Sequence, residues 1–275
     1  MDVNKILEID EVQIVKKQKI LDYNEVLTDL DFVLSSGARN FDETIGGGFY
    51  QGKKYLIFGA NKTGKTQLCH QLCVQAYIQL SKQSKKSRKT NKQFVFYFDT
   101  ENTFRPERLK ELIKILNIDY YKLLKCIYVS KIMSNAALLL SLKELERILE
   151  LNNIYVLIID TLNNHYNSEL ANKEIASNKT KGIFLKVLER LNELTKKYKL
   201  ITITTAQITS NLINKNLIRV IPVGNHLLNH FFSEYVYLDY KEQDKRYVHL
   251  ANSMNFPEKR LLYSITTSGI QDYKV

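Results

Sequence analysis

The stretch Gly59-Ala60-Asn61-Lys62-Thr63-Gly64-Lys65-Thr66 satisfies G-x-x-x-x-G-K-[ST], and few patterns this short restrict a fold so tightly. At ordinary residue frequencies the match arises in on the order of one chain in a hundred of this length. Its setting narrows the chance further. The apolar run Tyr55-Leu56-Ile57-Phe58 leads into it, and the residues from Gly64 to Leu80 carry Leu68, Leu72, Val74 and Ala76 at helical spacing. Strand, glycine-lined turn and helix N-terminus together make a cradle for phosphates. Loop N–H groups wrap the anion and the helix end adds partial positive charge. The binding stretch runs from Gly59 to Gln67. Within it Lys65 would reach the β- and γ-phosphates, and the Thr66 hydroxyl would ligate Mg²⁺.

The rest of the chain supplies the sheet such a loop needs. Strands are expected at Phe94–Phe98, Ile127–Val129, Tyr155–Ile159 and Leu200–Thr205. Helices are expected from Pro106 (through Leu109, Leu112, Ile113 and Leu116), over Ala136–Leu151, and over Lys181–Lys199. Strands alternating with helices predict an α/β fold with a mostly parallel central sheet flanked by helices. Val236–Tyr240, Tyr247–Ala251 and Leu261–Ile265 follow without intervening helices, which predicts an antiparallel C-terminal extension, with Glu242-Gln243-Asp244 as its first turn. Residues 1–34 read as a short N-terminal extension and 35–275 as one core.

Forty Lys and Arg against twenty-nine Asp and Glu give a net charge of +11, which favours polyanionic partners or, on the plainer reading, a lysine-rich solvated surface. The basic stretch Ser81–Lys92 is expected as a solvated loop between a helix and a strand. No run approaches the ~20 apolar residues of a membrane-spanning helix. Cys69, Cys73 and Cys126 fit neither a metal-ligand set nor an even disulfide framework, so free thiols and an intracellular setting are expected.

A phosphate cradle of this type also needs a carboxylate at a strand end to hold the metal's water shell, and Asp160, closing Tyr-Val-Leu-Ile-Ile-Asp, fits that demand. Hydrolysis further needs a group to orient and deprotonate water. Glu101 and Asp99, both at the end of the strand Phe94–Phe98, compete for that role on position alone.

Gly64-Lys65-Thr66-Gln67-Leu68-Cys69-His70-Gln71-Leu72, Phe98-Asp99-Thr100-Glu101-Asn102-Thr103-Phe104-Arg105-Pro106-Glu107-Arg108-Leu109 and Leu157-Ile158-Ile159-Asp160-Thr161-Leu162 occur in that order with a closing Phe256-Pro257-Glu258. Taken together these segments resemble the archaeal RadA and eukaryotic strand-exchange recombinases of the RecA superfamily, from about Ser35 to Asp272, in which a glutamine matched by Gln207 couples the γ-phosphate to the second DNA-binding loop. The resemblance implies a RecA-type core, ATP and Mg²⁺ as ligands, DNA-stimulated ATP hydrolysis, and work in homologous recombination and repair. It favours Glu101 as the water-polarising carboxylate. It also implies that Arg108 stacks on adenine, that Gln207 senses the γ-phosphate, that His230 reads the γ-phosphate of a neighbouring subunit, and that Pro257 caps a neighbour's nucleotide. Two loops, about 163–180 and 208–223, would face DNA, with Lys173 in the first and Leu212, Lys215 and Arg219 in the second.

The chain departs from the family pattern in places. A short extension stands where a helical DNA-binding domain precedes the core, no Phe-x-x-Ala docking segment occurs, and Asn-Ser-Glu-Leu-Ala-Asn-Lys replaces an arginine–glycine loop. The departures imply a recombinase paralogue: an ATP-binding helper that joins a RadA-type recombinase or other paralogues on single-stranded, and also double-stranded, DNA. A full filament-forming recombinase, a non-hydrolysing adaptor and a clock-like signalling ATPase stay open as alternatives. The setting would be the cytoplasm of an archaeon or the nucleus of a eukaryote.

Overall fold

A computed structural model describes residues 32–84, 94–152, 154–210, 220–242 and 245–273. The N-terminal elements of this part are β1 (Val33–Leu34), α1 (Arg39–Thr44), β2 (Phe49–Tyr50), β3 (Lys54–Gly59), α2 (Lys65–Ser84) and β4 (Val95–Asp99). The middle holds α3 (Pro106–Leu112), α4 (Tyr120–Leu124), β5 (Ile127–Lys131), α5 (Asn135–Leu151), β6 (Val156–Asp160), α6 (Asn164–Ala171), α7 (Ser177–Lys197) and β7 (Ile201–Ala206). The chain closes with β8 (Ile208–Ser210), β9 (Val220–Pro222), α8 (Asn225–Leu228), β10 (Glu234–Glu242), β11 (Lys245–Asn252), β12 (Lys259–Thr266) and β13 (Gly269–Asp272).

One nine-stranded sheet runs in the order β13-β12-β11-β10-β3-β7-β6-β4-β5. The pairs from β10 through β3, β7, β6 and β4 to β5 are parallel, and β10 to β13 pair antiparallel. This is the expected architecture. The parallel strands β3, β4, β6 and β7 are buried along their whole length, as continuous apolar runs require when helices cover both faces. On one face Leu138, Leu142 and Leu145 of α5 and Phe184, Leu188 and Leu191 of α7 pack with Phe96, Phe98, Leu157 and Ile159. On α2, Leu68, Leu72, Val74 and Ala76 are buried, as are the free thiols of Cys69 and Cys73.

Several boundaries differ from expectation for local reasons. Helix α3 stops at Leu112, and Asn117 just beyond takes a positive φ of 50°, leaving Leu116 outside the helix and 42% exposed. Strand β13 was too short to stand out. It exists because β12 pairs with it and the buried Gln71 side chain accepts from the Ile270 N–H at 2.6 Å and donates to the Ile270 carbonyl at 3.0 Å. The segment 163–180, expected as a loop, is a correction: Asn164–Ala171 is helical, and α7 starts at Ser177 rather than Lys181. Tyr166, wholly buried and stacked on Phe184 at 4.2 Å, holds that helix against the core where its polar neighbours give no period. Residues 1–31 of the expected extension, positions 243–244 of the expected turn and 85–92 of the basic stretch lie outside the described residues. Among the described residues no helix is long and apolar enough to cross a membrane.

Candidate nucleotide site

Parallel strands bring their C-terminal ends to one edge of a sheet. Gly59 of β3, Asp99 of β4, Asp160 of β6 and Ala206 of β7 therefore converge there, with Asp99 level with Asp160 and Phe58 level with Ala206. Such an edge is where α/β sheets receive ligands. A cleft of about 770 Å³ opens at it, and Lys65, Thr66, Gln67, Glu101, Arg108 and Gln207 are among its walls.

The loop from Gly59 to Thr66 fits tightly under this cleft. A Cβ on Gly59 would stand 2.1 Å from the Leu238 carbonyl oxygen of β10, and one on Gly64 (φ +103°) 2.5 Å from Cδ1 of Ile265. Only glycine allows both approaches. The Thr63 hydroxyl donates to the Ala60 carbonyl at 2.8 Å, and the Tyr263 hydroxyl donates to the Thr63 carbonyl, fixing the loop from within and from β12. Asn61 and Lys62 stand exposed at the rim, Lys62 with φ 67°. The Lys65 ammonium donates to the carbonyls of Gly59 at 2.8 Å and Ala60 at 3.0 Å. Burial lowers its pKa from the ordinary lysine value, against the attraction of Asp160 and Glu101. The first-turn N–H groups of α2 have no acceptor inside the helix. Cradle, ammonium and free helix amides fit a polyphosphate.

The metal candidates have the chemistry for a hard cation. Thr66 is half-buried in the cleft wall, and Asp160 is 1% exposed. Asp160 accepts from the hydroxyls of Tyr97 at 3.0 Å, Thr103 at 3.4 Å and Thr205. Among the described residues, hydroxyls rather than Lys or Arg ion-pair partners surround this buried carboxylate, a donor set that suits Mg²⁺ and its waters.

The competing carboxylates are told apart by their partners. Asp99 is buried and accepts from the N–H groups of Thr103 at 3.0 Å and Phe104 at 3.1 Å, so it shapes the turn after β4. Glu101 is exposed to the cleft, where its Oε1 accepts from Nε2 of Gln207 at 2.8 Å. Arg108 donates from Nε to Gln67 at 2.7 Å, from one terminal nitrogen to Glu111 and the Thr267 carbonyl, and from the other to the Thr266 carbonyl at 3.0 Å. Its planar guanidinium is thus held edge-on by four partners on the cleft wall. His230 and Pro257 are exposed and do not line this cleft. Lys173 is exposed between α6 and α7, whereas Leu212, Lys215 and Arg219 lie outside the described residues.

Residues 30–273 match the family model described as Rad51. The chain belongs to the Rad51 family. It is 25% identical over 278 aligned positions to the DNA repair and recombination protein RadA of Aeropyrum pernix, covering 95% of this chain and 84% of that protein. It is 27% identical over 242 positions to the protein of the same name from Ignicoccus hospitalis, covering 87% of this chain and 72% of that one.

Further residues in and around the cleft escaped sequence reasoning. His70 accepts from the Arg105 N–H at Nε2 (2.9 Å), so Nδ1 carries the proton and donates to the Thr66 carbonyl at 2.8 Å. With Phe104 stacked on its ring at 5.2 Å, it ties the first turn of α2 to the segment carrying Glu101 and Arg108. Arg246, a residue of β11, also lines the cleft. Asn163, Asn164 and Asn167 all bond to Gln207. Clustered carboxamides directly after Asp160 were the one sequence signal for that last set.

Proposed function

We propose that this chain is an Mg²⁺-dependent, DNA-stimulated ATPase of homologous recombination and repair, a paralogue that assists a RadA-type recombinase. The observation that carries the reading is the Glu101 carboxylate, which stands at the mouth of the phosphate cradle and accepts from the Gln207 side chain rather than from the turn's backbone among the described residues. A protein that merely held ATP would have no need of it.

On binding, Lys65 exchanges the Gly59 and Ala60 carbonyls for the β- and γ-phosphate oxygens. Thr66 and Asp160 hold Mg²⁺, which when bound neutralises charge building on the phosphates. Glu101 orients water and accepts its proton. Arg108, its edge satisfied by Gln67, Glu111 and the 266–267 carbonyls, offers a planar face to adenine, which lysine could not do. His230 and Pro257, turned away from the chain's own cleft, meet the nucleotide of an adjoining subunit. Lys173, Leu212, Lys215 and Arg219 meet DNA. The assisting role is supported by the helix at Asn164–Ala171, which stands where the family resemblance implies an arginine–glycine loop.

The test is steady-state ATP turnover with and without single-stranded DNA, for the natural chain and Glu101→Gln. Stimulation by DNA is expected. The variant should keep nucleotide binding and lose about 10²–10⁴-fold in turnover. A near-zero, DNA-blind rate for the natural chain would instead make it an adaptor. Light scattering with an ATP analogue, DNA and the chain alone then separates a helper, which stays small, from a self-assembling recombinase.

A further inference from the structure

Two arginines stand among the walls of the nucleotide cleft, Arg108 and Arg246. Arg108 is paired with Glu111 and bonded to Gln67 and two carbonyls. Arg246, in β11, is 9% exposed, and among the described residues it forms no ion pair with Asp or Glu. Its Nη2 donates to the Tyr240 hydroxyl at 3.0 Å, and its guanidinium carbon lies 4.7 Å from the centre of the same ring. Its Nε is buried and has no acceptor among the described residues. Buried charges are ordinarily paired, because desolvating one alone is costly. A lysine can answer burial by releasing its proton, but an arginine stays charged. The cleft wall therefore contains a cation whose counter-charge the described residues do not supply.

The neighbours of Arg246 indicate which end of a ligand it would meet. Arg246 pairs in register with Tyr263 of β12. The Tyr263 hydroxyl donates to the Thr63 carbonyl of the phosphate loop. Two residues on, and on the same face of the strand, Ile265 packs on Gly64, where a Cβ would stand 2.5 Å from its Cδ1. Beyond them the carbonyls of Thr266 and Thr267 hold Arg108, the residue read as the support for adenine. Along β12, then, Arg246 and the loop come first and the base wall last. The anion that Arg246 lacks belongs to the phosphate end of the cleft.

We propose that Arg246 is a binding residue for the phosphate chain of the nucleotide. Its guanidinium takes a phosphate oxygen, so that cations from two separate elements, Lys65 of α2 and Arg246 of β11, meet one polyanion. The Tyr240 ring supports the guanidinium by its face and leaves N–H groups at its edge for oxygen, the geometry in which arginine binds phosphate. The antiparallel extension thus contributes a ligand-binding side chain as well as strands. The proposal rests on the reading of the cleft as an ATP site. It also carries a sign for stability. Without nucleotide the unpaired cation is a burden, and an apolar side chain in its place should not weaken the fold.

The test compares the natural full-length chain with Arg246→Met. With Mg²⁺ present, a fluorescent ATP analogue is displaced first by ATP and then by inorganic tripolyphosphate, which has no base. The variant should weaken both competitors by the same factor, at least about tenfold, as loss of a charge-assisted contact predicts. Without ligand its urea midpoint should equal or exceed that of the natural chain. If the midpoint falls, Arg246→Gln is measured in its place. An affinity for tripolyphosphate equal to the natural chain's overturns the proposal, even where ATP binds less tightly, because Arg246 would then serve the base or the sugar. A natural chain that binds neither the analogue nor the competitors overturns the ATP-site reading and this proposal together.

Discussion

Lys65 and Glu101 illustrate how much a single side chain's partners decide. The Lys65 ammonium already bonds two loop carbonyls and is drawn by Asp160 and Glu101, so it is poised over the cradle without phosphate. Lys65→Ala removes a charge-assisted contact of about 1.5–3 kcal/mol. Its affinity for ATP is expected to drop at least about tenfold, as calorimetric titration would read, and an unchanged Kd would remove Lys65 from the site. At this scale the sequence was informative about residue type and silent about use. Asp99 and Glu101 are separated by one residue, and spacing could not rank them. Only the two N–H groups donated to Asp99 reveal that it is committed to the turn.

Among elements, β3 depends on its terminal glycine. Its parallel partner β10 reaches Gly59 at Leu238, and the carbonyl there leaves no space for a methyl group. Gly59→Ala should therefore lower unfolding free energy by more than about 2 kcal/mol, with a reduced urea midpoint, because backbone must move rather than a flexible side chain. A midpoint equal to the natural chain's would mean the strand end relaxes freely. Elements with strong periodicity were readable in advance: α2, α5 and α7 bury their regularly spaced apolar residues as expected. Helix α6 was not, because Asn, His and Ser are weak helix formers and only Tyr166 is deeply buried. Its helicity comes from what Tyr166 and Glu169 touch on other elements.

Across the whole molecule, burial of charge leaves a measurable signature at Lys54. It is 9% exposed in β3, and its Nζ donates to Asn192 of α7 at 2.6 Å. Burial, aided by repulsion from Lys196, lowers its pKa from 10.5 to about 8. Between those values the folded chain has released a proton that the unfolded chain still holds. Lys54 therefore contributes stability that rises with pH from about 8 to 10.5. Buried thiols at Cys69 and Cys73 and buried tyrosines, whose pKa values are raised, push the other way at high pH. The difference between the natural chain and Lys54→Met isolates the lysine. That difference should move toward the natural chain by up to about 3 kcal/mol across the window, measured by denaturant unfolding at each pH. Parallel pH profiles for the two chains would show that Nζ is solvated.

The sequence by itself determined the phosphate loop, the alternation that makes a parallel sheet, the carboxylate closing β6 and the family. All of these are written in short-range spacing and in residue types that few chemistries can replace. Tertiary structure alone decided that Asp99 serves a turn while Glu101 faces the cleft, that His70 ties α2 to the 101–108 segment, and that Asn164 and Asn167 of α6 bond to Gln207. Apart from Asp99, whose partners lie four and five positions on, those assignments depend on which polar groups meet across 30 or more positions of chain, as His70 meets Arg105 and Gln207 meets Glu101. A hydrogen bond has a range of about 3 Å and leaves no period behind it.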